Sequence, residues 1–352
     1  MGSIFLEKDM STCINNVRKI SAAMLLCGLS LATVFGAEIT GEGHRFIAGQ
    51  DGKHIAIVNA KGEIEWEYNI GAIHDAHLLP NGNILMETNY QNIVEVDKDK
   101  KVVWNYNAAK QNRQEGERVE VHAIQRLADG NTMIVESSPS RVIESNKDGK
   151  PVKETKFNPT RIIEVDKDGK IAKEVALTVK NQSTHSATRN ARKLENGHYL
   201  VAHESDGTVR EYDETGKVIW EFEIPMFDKK PAGGHGPEGF GNHCYSAIRL
   251  ANGDTLIGTG NGHSVLEVTP AKEIVWKLTQ DELPGIQLAW VTQVQALKNG
   301  NIVIGNCHAG DKNPQIIEVT RDKKVVWSFK DFKNFGNAVP VSFVIDSEGA
   351  VR

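Results

Sequence analysis

Five times along this chain an apolar run breaks at Asn-Gly or Asp-Gly and resumes as a second apolar run. The breaks are Pro80-Asn81-Gly82-Asn83, Ala128-Asp129-Gly130-Asn131, Glu195-Asn196-Gly197-His198, Ala251-Asn252-Gly253-Asp254 and Lys298-Asn299-Gly300-Asn301. Such dipeptides favour β-hairpins because both residues tolerate a positive φ. A third apolar run, a tight polar turn and a fourth run usually containing Trp follow. Val94-Glu95-Val96-Asp97 leads to Trp104, and Glu211-Tyr212-Asp213 to Trp220. The pattern returns in Leu266-Glu267-Val268 before Trp276, and in Ile317-Glu318-Val319 before Trp327.

Successive turn glycines are about 47 to 67 residues apart, the spacing of propeller blades with two insertions. Four short strands cannot bury both faces alone, and packing such units in a ring solves that problem. The ends define the closure. Residues 44–70 hold only the later part of a unit, ending at Glu65-Trp66-Glu67, and residues 338–349 only its beginning, with a turn at Ser347-Glu348-Gly349. Joined, they complete a sixth blade, so the expected fold is an all-β, six-bladed propeller over residues 38–352. Trp66, Trp104, Trp220, Trp276 and Trp327 read as packing between blades rather than ligand contacts. Lys173 takes this place in the third unit, whose packing must differ.

The N-terminus reads as an export signal over residues 1–37. Arg18 and Lys19 precede an apolar stretch from Ile20 to Phe35, and cleavage is expected near Gly36 or Ala37. The stretch is short for a membrane span, so no stable membrane insertion is expected after cleavage, and the mature protein should be periplasmic or secreted. Beyond that segment only Cys244 and Cys307 remain, and either a disulfide or two free thiols fits. The formal net charge is -5, with no basic stripe, which argues against nucleic acid as a partner.

Propeller topology places the start of each first strand and the end of each second strand at one rim. Counting back from the turn glycines reaches His74, His122, Arg189, Tyr245 and Thr292. Counting forward reaches Thr88, Glu136, His203, Glu204, Asn306 and Cys307, with His308 next. His77, His185 and His243 lie near the same strand starts, so most of the twelve histidines gather at one end. Histidine, arginine and tyrosine together can serve acid–base chemistry or bind an anion. No compact ligand spacing favours a metal. Polar residues that merely hydrate a channel are the plainer alternative for any single histidine. Insertions at 108–120, 137–159 and 226–241 should project from this rim, and Gly233-Gly234-His235-Gly236-Pro237-Glu238-Gly239 has the composition of a lid. Asp166-Lys167-Asp168-Gly169 resembles the opening of a calcium loop but sits where a hairpin turn is due.

Glu211-Tyr212-Asp213-Glu214-Thr215-Gly216-Lys217-Val218-Ile219-Trp220 resembles the repeat of pyrroloquinoline-quinone-repeat-like propellers, and the likeness extends over residues 44–349. No quinone-and-calcium site is recognisable, so neither cofactor is expected. His74-Asp75-Ala76-His77-Leu78-Leu79-Pro80-Asn81-Gly82-Asn83 looks like the blade opening of bacterial arylsulfotransferase-like proteins. That resemblance implies an exported propeller that transfers sulfate between phenolic compounds through a channel histidine. His74 or His122 would act as nucleophile or acid–base group and Arg189 as anion clamp. The leading expectation is a propeller binding a small molecule, glycan or peptide at the histidine-rich rim, with His77, His185, His203, His243, Tyr245, Asn306 and His308 as ligand contacts. The sulfate-transferring enzyme is the alternative.

Overall fold

The computed structural model describes residues 36–112, 118–138, 141–156 and 160–352. The expected signal segment lies outside these residues apart from Gly36 and Ala37, as do parts of the insertions at 108–120 and 137–159.

Six four-stranded antiparallel meanders form the blades of a propeller. Blade 1 is the split one: Val341–Val344 is its innermost strand, followed outward by Phe46–Gln50, His54–Val58 and Ile64–Asn69. Blade 2 runs from Ala76–Leu78 to Val102–Asn107, and blade 3 from Glu120–Arg126 to Ile171–Ala176. Blade 4 runs from Asn190–Lys193 to Val218–Glu223, blade 5 from Ser246–Arg249 to Ile274–Leu278, and blade 6 from Trp290–Ala296 to Val325–Lys330. Within blade 3 the chain leaves after Ser137, forms a separate hairpin of Arg141–Ser145 with Pro151–Lys156, and returns at Arg161.

Blade 6 also carries a fifth strand that the repeat did not announce. Glu38–Gly41 pairs antiparallel with its outer strand, Glu38 opposite Lys330 and Gly41 opposite Trp327. The chain then crosses directly into blade 1, so the ring is clasped twice at one seam.

Each turn type has its own chemistry. At the first turn only the glycine takes a positive φ, for example 85° at Gly82 and 88° at Gly300. The preceding Asn or Asp does something else: its Oδ1 accepts the backbone N–H two residues on, at 3.0 Å from Asn81 and 2.9 Å from Asp129. This corrects the expectation of positive φ at both residues, since a side-chain turn fixes the loop without a left-handed Asn. At the outer turn every blade shows a register irregularity, with Gly62, Lys100, Gly169, Gly216, Lys272 or Lys323 at positive φ. That is the glycine-type bulge, which adds twist to the outer strand. Asp166-Lys167-Asp168-Gly169 is one of these turns.

The core is divided among the blade interfaces. Phe46, Ala48 and Val58 of blade 1 pack on Val303, Ile316, Trp327 and Phe329 of blade 6. Similar apolar clusters join blades 1 and 2, 2 and 3, 3 and 4, 4 and 5, and 5 and 6. Outer strands alternate instead, as in Ile64–Asn69, because one face meets the next blade and the other meets water.

The tryptophans act as the sequence suggests. Nε1 of Trp104, Trp220 and Trp276 donates to the backbone oxygen of Lys167, Pro270 and Arg321, each in the outer turn of the following blade, at 3.0, 3.0 and 2.8 Å. An arginine of that following blade covers each ring and reaches back to a glutamate: Arg126 to Glu95, Arg249 to Glu211, Arg321 to Glu267. Where Lys173 replaces Trp, it lies over Tyr199 and pairs with Glu214. At the seam between blades 6 and 1, His44 stands in for the arginine. Its ring packs edge-on against Trp327, and its nitrogens lie 2.8 Å from Glu318 and 3.0 Å from Asp346.

Cys244 and Cys307 are both buried and unbonded to each other. Among the described residues, no helix is long and apolar enough to cross a membrane.

Candidate functional site

A pocket of about 140 Å³ opens at the rim where first strands begin and second strands end. Its floor is built from buried side chains of four blades. His74 precedes the innermost strand of blade 2, Arg189 that of blade 4 and Tyr245 that of blade 5, while Trp290, Thr292 and Cys307 belong to blade 6. His185 and His308 stand nearer the mouth. Ring closure brings these residues together across long sequence separations, as the topology required.

Arg189 organises the floor. Its Nε donates to Glu204, and its Nη1 donates to His74 Nε2 at 2.8 Å. Because a guanidinium only donates, His74 Nε2 must be the acceptor, and its proton sits on Nδ1, which donates to the Val121 carbonyl at 3.1 Å. Burial, then the charge of Arg189, hold His74 well below the usual histidine pKa. For Arg189 itself burial works against the charge, but Glu204, Tyr245 and Tyr90 together outweigh it, so its pKa is raised.

Aromatic rings line the walls. Tyr90, His74 and His122 form a stack with centroid spacings of 4.8 and 5.0 Å. His122 lies behind His74, outside the pocket lining, where its Nε2 donates to the Thr184 carbonyl at 2.9 Å. Burial keeps it neutral. On the opposite wall His235 lies 5.0 Å from Trp290 and 5.5 Å from His308, centroid to centroid. The Gly-rich loop does cover this site and delivers His235. It is tied down by a bridge between Ala232 and Phe240, by His263 donating to the Gly239 carbonyl, and by Gln280 donating to the Pro237 carbonyl.

Of the residues singled out in the sequence, His74, His185, Arg189, Tyr245 and His308 line the pocket. His243 stands at the mouth, 3.7 Å from Glu204. Besides His122, three lie elsewhere. His77 is deeper in the channel beside Asp75, at 3.4 Å. His203 is walled into blade 4, where its Nδ1 donates to the Ala187 carbonyl and its Nε2 lies 2.8 Å from the Tyr212 hydroxyl. Asn306 pins a loop by accepting from the Ala289 N–H and donating to the Gln287 and Pro314 carbonyls. Alternation explains His203 and Asn306: a strand residue at the correct height points into the blade interface if it falls on the wrong face. Asp51, Tyr90, His235 and Trp290 were not singled out as site residues. The first two sit in the turns between second and third strands, which the counting from glycines passed over; His235 was visible only as part of the lid composition.

Below the pocket the channel is shut. Asp75 is fully buried and receives Arg192 Nη1 at 2.7 Å and Nη2 at 3.2 Å, with Arg352 Nη2 at 3.5 Å. Burial opposes ionisation of Asp75, but Arg192 and its neighbours hold the carboxyl well below the usual range. Only about 10 Å³ stays open among Arg192, Gln293, Phe343 and Arg352, too little to hold a water molecule comfortably. Among the described residues, no three His, Cys, Asp or Glu side chains gather as a metal centre would require.

These features define a six-bladed β-propeller with a blind pocket at one rim. A family profile described as outer membrane protein assembly factor BamB matches residues 25–161, fewer than half of the chain. No curated protein matches in sequence. Among solved structures, the chain is similar to a protein of unknown function from Bacteroides caccae, with 22% identity, a TM-score of 0.67, and coverage of 87% of this chain and 100% of that one. It is also similar to a streptogramin B lyase (14% identity, TM-score 0.50, 85% and 89% covered). A virginiamycin B lyase variant from Staphylococcus aureus bound to quinupristin gives 13% identity, a TM-score of 0.50, and 84% and 88% coverage. At these identities the likeness is one of fold.

Proposed function

We propose that this chain is an exported binding propeller whose rim pocket holds a small molecule or the end of a glycan or peptide. One observation carries the reading. The Tyr245 hydroxyl is buried in the pocket wall without a hydrogen-bond partner, beside an Arg189 that bonds only through Nε and Nη1. A buried polar atom left unpaired costs about 1–3 kcal/mol, so this hydroxyl, with the unused edge of Arg189 beside it, suits an occupant that pairs both. Export rests on the Arg18-Lys19 and Ile20 to Phe35 pattern.

Binding is favoured over sulfate transfer. A histidine nucleophile needs a ring nitrogen open to the pocket, whereas both nitrogens of His74 are engaged and His122 stands behind it.

The test is a thermal-shift screen of the purified protein against small metabolites, short glycans and peptides, repeated on Tyr245→Phe and Arg189→Met. Ligands that raise Tm in the unaltered protein should lose most of that effect in folded variants. Shifts indifferent to both substitutions, or no shift from any class, would remove the pocket as a ligand site.

A further inference from the structure

The hydrogen-bonding pattern of the pocket narrows its ligand, and this inference rests on the binding reading above. Besides its histidines, the cavity lining carries one guanidinium, Arg189, and two carboxyls, Asp51 and Glu204. The single cation is already paired with Glu204. An anion would therefore meet two carboxyls and no unpaired guanidinium, and a compact cation would meet the guanidinium at the floor.

The unused positions are of both kinds. Asp51 accepts the Ile73 N–H through Oδ1 at 2.9 Å, which leaves Oδ2 open. Glu204 holds Arg189 through Oε2, which leaves Oε1 as a second acceptor. Arg189 Nη2 is an open donor, and the Tyr245 hydroxyl can donate or accept. A ring of mixed donors and acceptors around neutral ligand space matches hydroxyl groups, each of which both donates and accepts. The Trp290 ring adds apolar surface to the same lining, with His235 tilted against it. A cavity of about 140 Å³ has room for one six-membered ring, since one of roughly 150 Å³ takes up benzene.

A second space lies beside the pocket. Tyr90 also lines a second, open groove of about 500 Å³ that continues over Asn89, Gln91, Arg118 and Glu120. Glu120 reaches from the groove side to His185 on the pocket side, 2.8 Å away, so the two spaces share a wall as well as a residue. Amide, guanidinium and carboxylate side chains along the groove suit further hydroxyls. We propose that the site binds a neutral oligosaccharide, its terminal sugar ring in the pocket and the following sugars in the groove beside Tyr90.

The experiment is isothermal titration of the full purified chain with neutral hexasaccharides of several linkages (maltohexaose, cellohexaose, laminarihexaose, xylohexaose) and their monosaccharides. Hexagalacturonate and a set of hexapeptides run beside them. At least one neutral hexasaccharide should bind tenfold or more tighter than its monosaccharide, with hexagalacturonate far weaker. Gln91→Ala should weaken the hexasaccharide and spare the monosaccharide, while Tyr245→Phe weakens both; circular dichroism confirms that each variant folds. Preference for peptides or for hexagalacturonate, or no gain with chain length, overturns the oligosaccharide proposal and leaves a ligand pocket standing. No binding sensitive to Tyr245→Phe from any probe overturns both.

Discussion

Arg189 Nη1 donates to His74 Nε2 across 2.8 Å, between residues 115 positions apart in the chain. The bond does more than join blades 4 and 2. It fixes His74 as the Nδ1–H tautomer, with a carbonyl on one side and a guanidinium on the other, while burial first and the Arg189 charge second hold its pKa well below the ordinary value. A histidine held in this way is a positioning element for Arg189, whose remaining N–H groups then face the cavity in one orientation.

Several buried histidines share this neutral state, which sets the response to acid. His203 is held down to about 3, by burial first and by the Arg210 charge second. The unfolded chain protonates such groups near their ordinary pKa of about 6.5, whereas the folded chain does not. Stability is therefore full above that pH and declines as pH falls toward 3. Urea unfolding between pH 7.5 and 4.5 should show this loss. In His203→Gln the slope below pH 6 should shrink by about 1.4 kcal/mol per pH unit. An unchanged slope would mean that His203 is not part of the acid response.

His44 should act in the opposite sense. Its hydrogen bond to Glu318 raises its pKa against a smaller opposing effect of burial, and Asp346 adds to the rise. Glu318 and Asp346 are the charged groups that face it, with the Trp327 ring packed edge-on. The stabilisation is thus fully present below about pH 6.5 and is lost as pH rises through the raised value. Replacing His44 with Arg, the residue used at three other blade junctions, should leave Tm near pH 6 almost unchanged. Near pH 9 it should raise Tm by up to a few degrees (roughly the scale of one partly exposed ion pair). Scanning calorimetry at the two pH values decides the matter, and an equal effect at both would exclude titration of His44.

Gly305 lies where the innermost strands of blades 6 and 1 approach the second strand of blade 6. A Cβ there would stand 2.3 Å from Thr292 Oγ1 and 2.7 Å from Ser342 Oγ. Gly305→Ala should destabilise by about 1–3 kcal/mol through overpacking. Adding Thr292→Ala should recover much of that loss, measured by denaturant midpoint. Additive losses in the double variant would show that the hydroxyl contact is not the cause.

The ring, its blade count and the split blade were legible because one turn chemistry repeats. Asn81, Asp129, Asn196, Asn252 and Asn299 mark the same place in five blades, and register follows from the marker. The Glu38–Gly41 strand carries no such marker, since an added edge strand needs only backbone pairing. The site was half legible for a related reason. Counting along strands gives height in the channel, which placed His74, Arg189 and Tyr245 correctly. It does not give the facing of a side chain, and a bulge between Val291 and Val294 of blade 6 shows how one extra residue changes that facing. Asp51 and Tyr90 come from turns whose lengths vary, so no repeat could point to them.

The plug formed by Asp75, Arg192 and Arg352 makes this propeller a cup rather than a pipe. Whatever enters the rim pocket has to leave through the same mouth, past the segment that carries His235. Entry and exit would share one route, so tightening that segment's anchors at Ala232, Phe240 or His263 should slow arrival and departure together while leaving the equilibrium affinity nearly untouched.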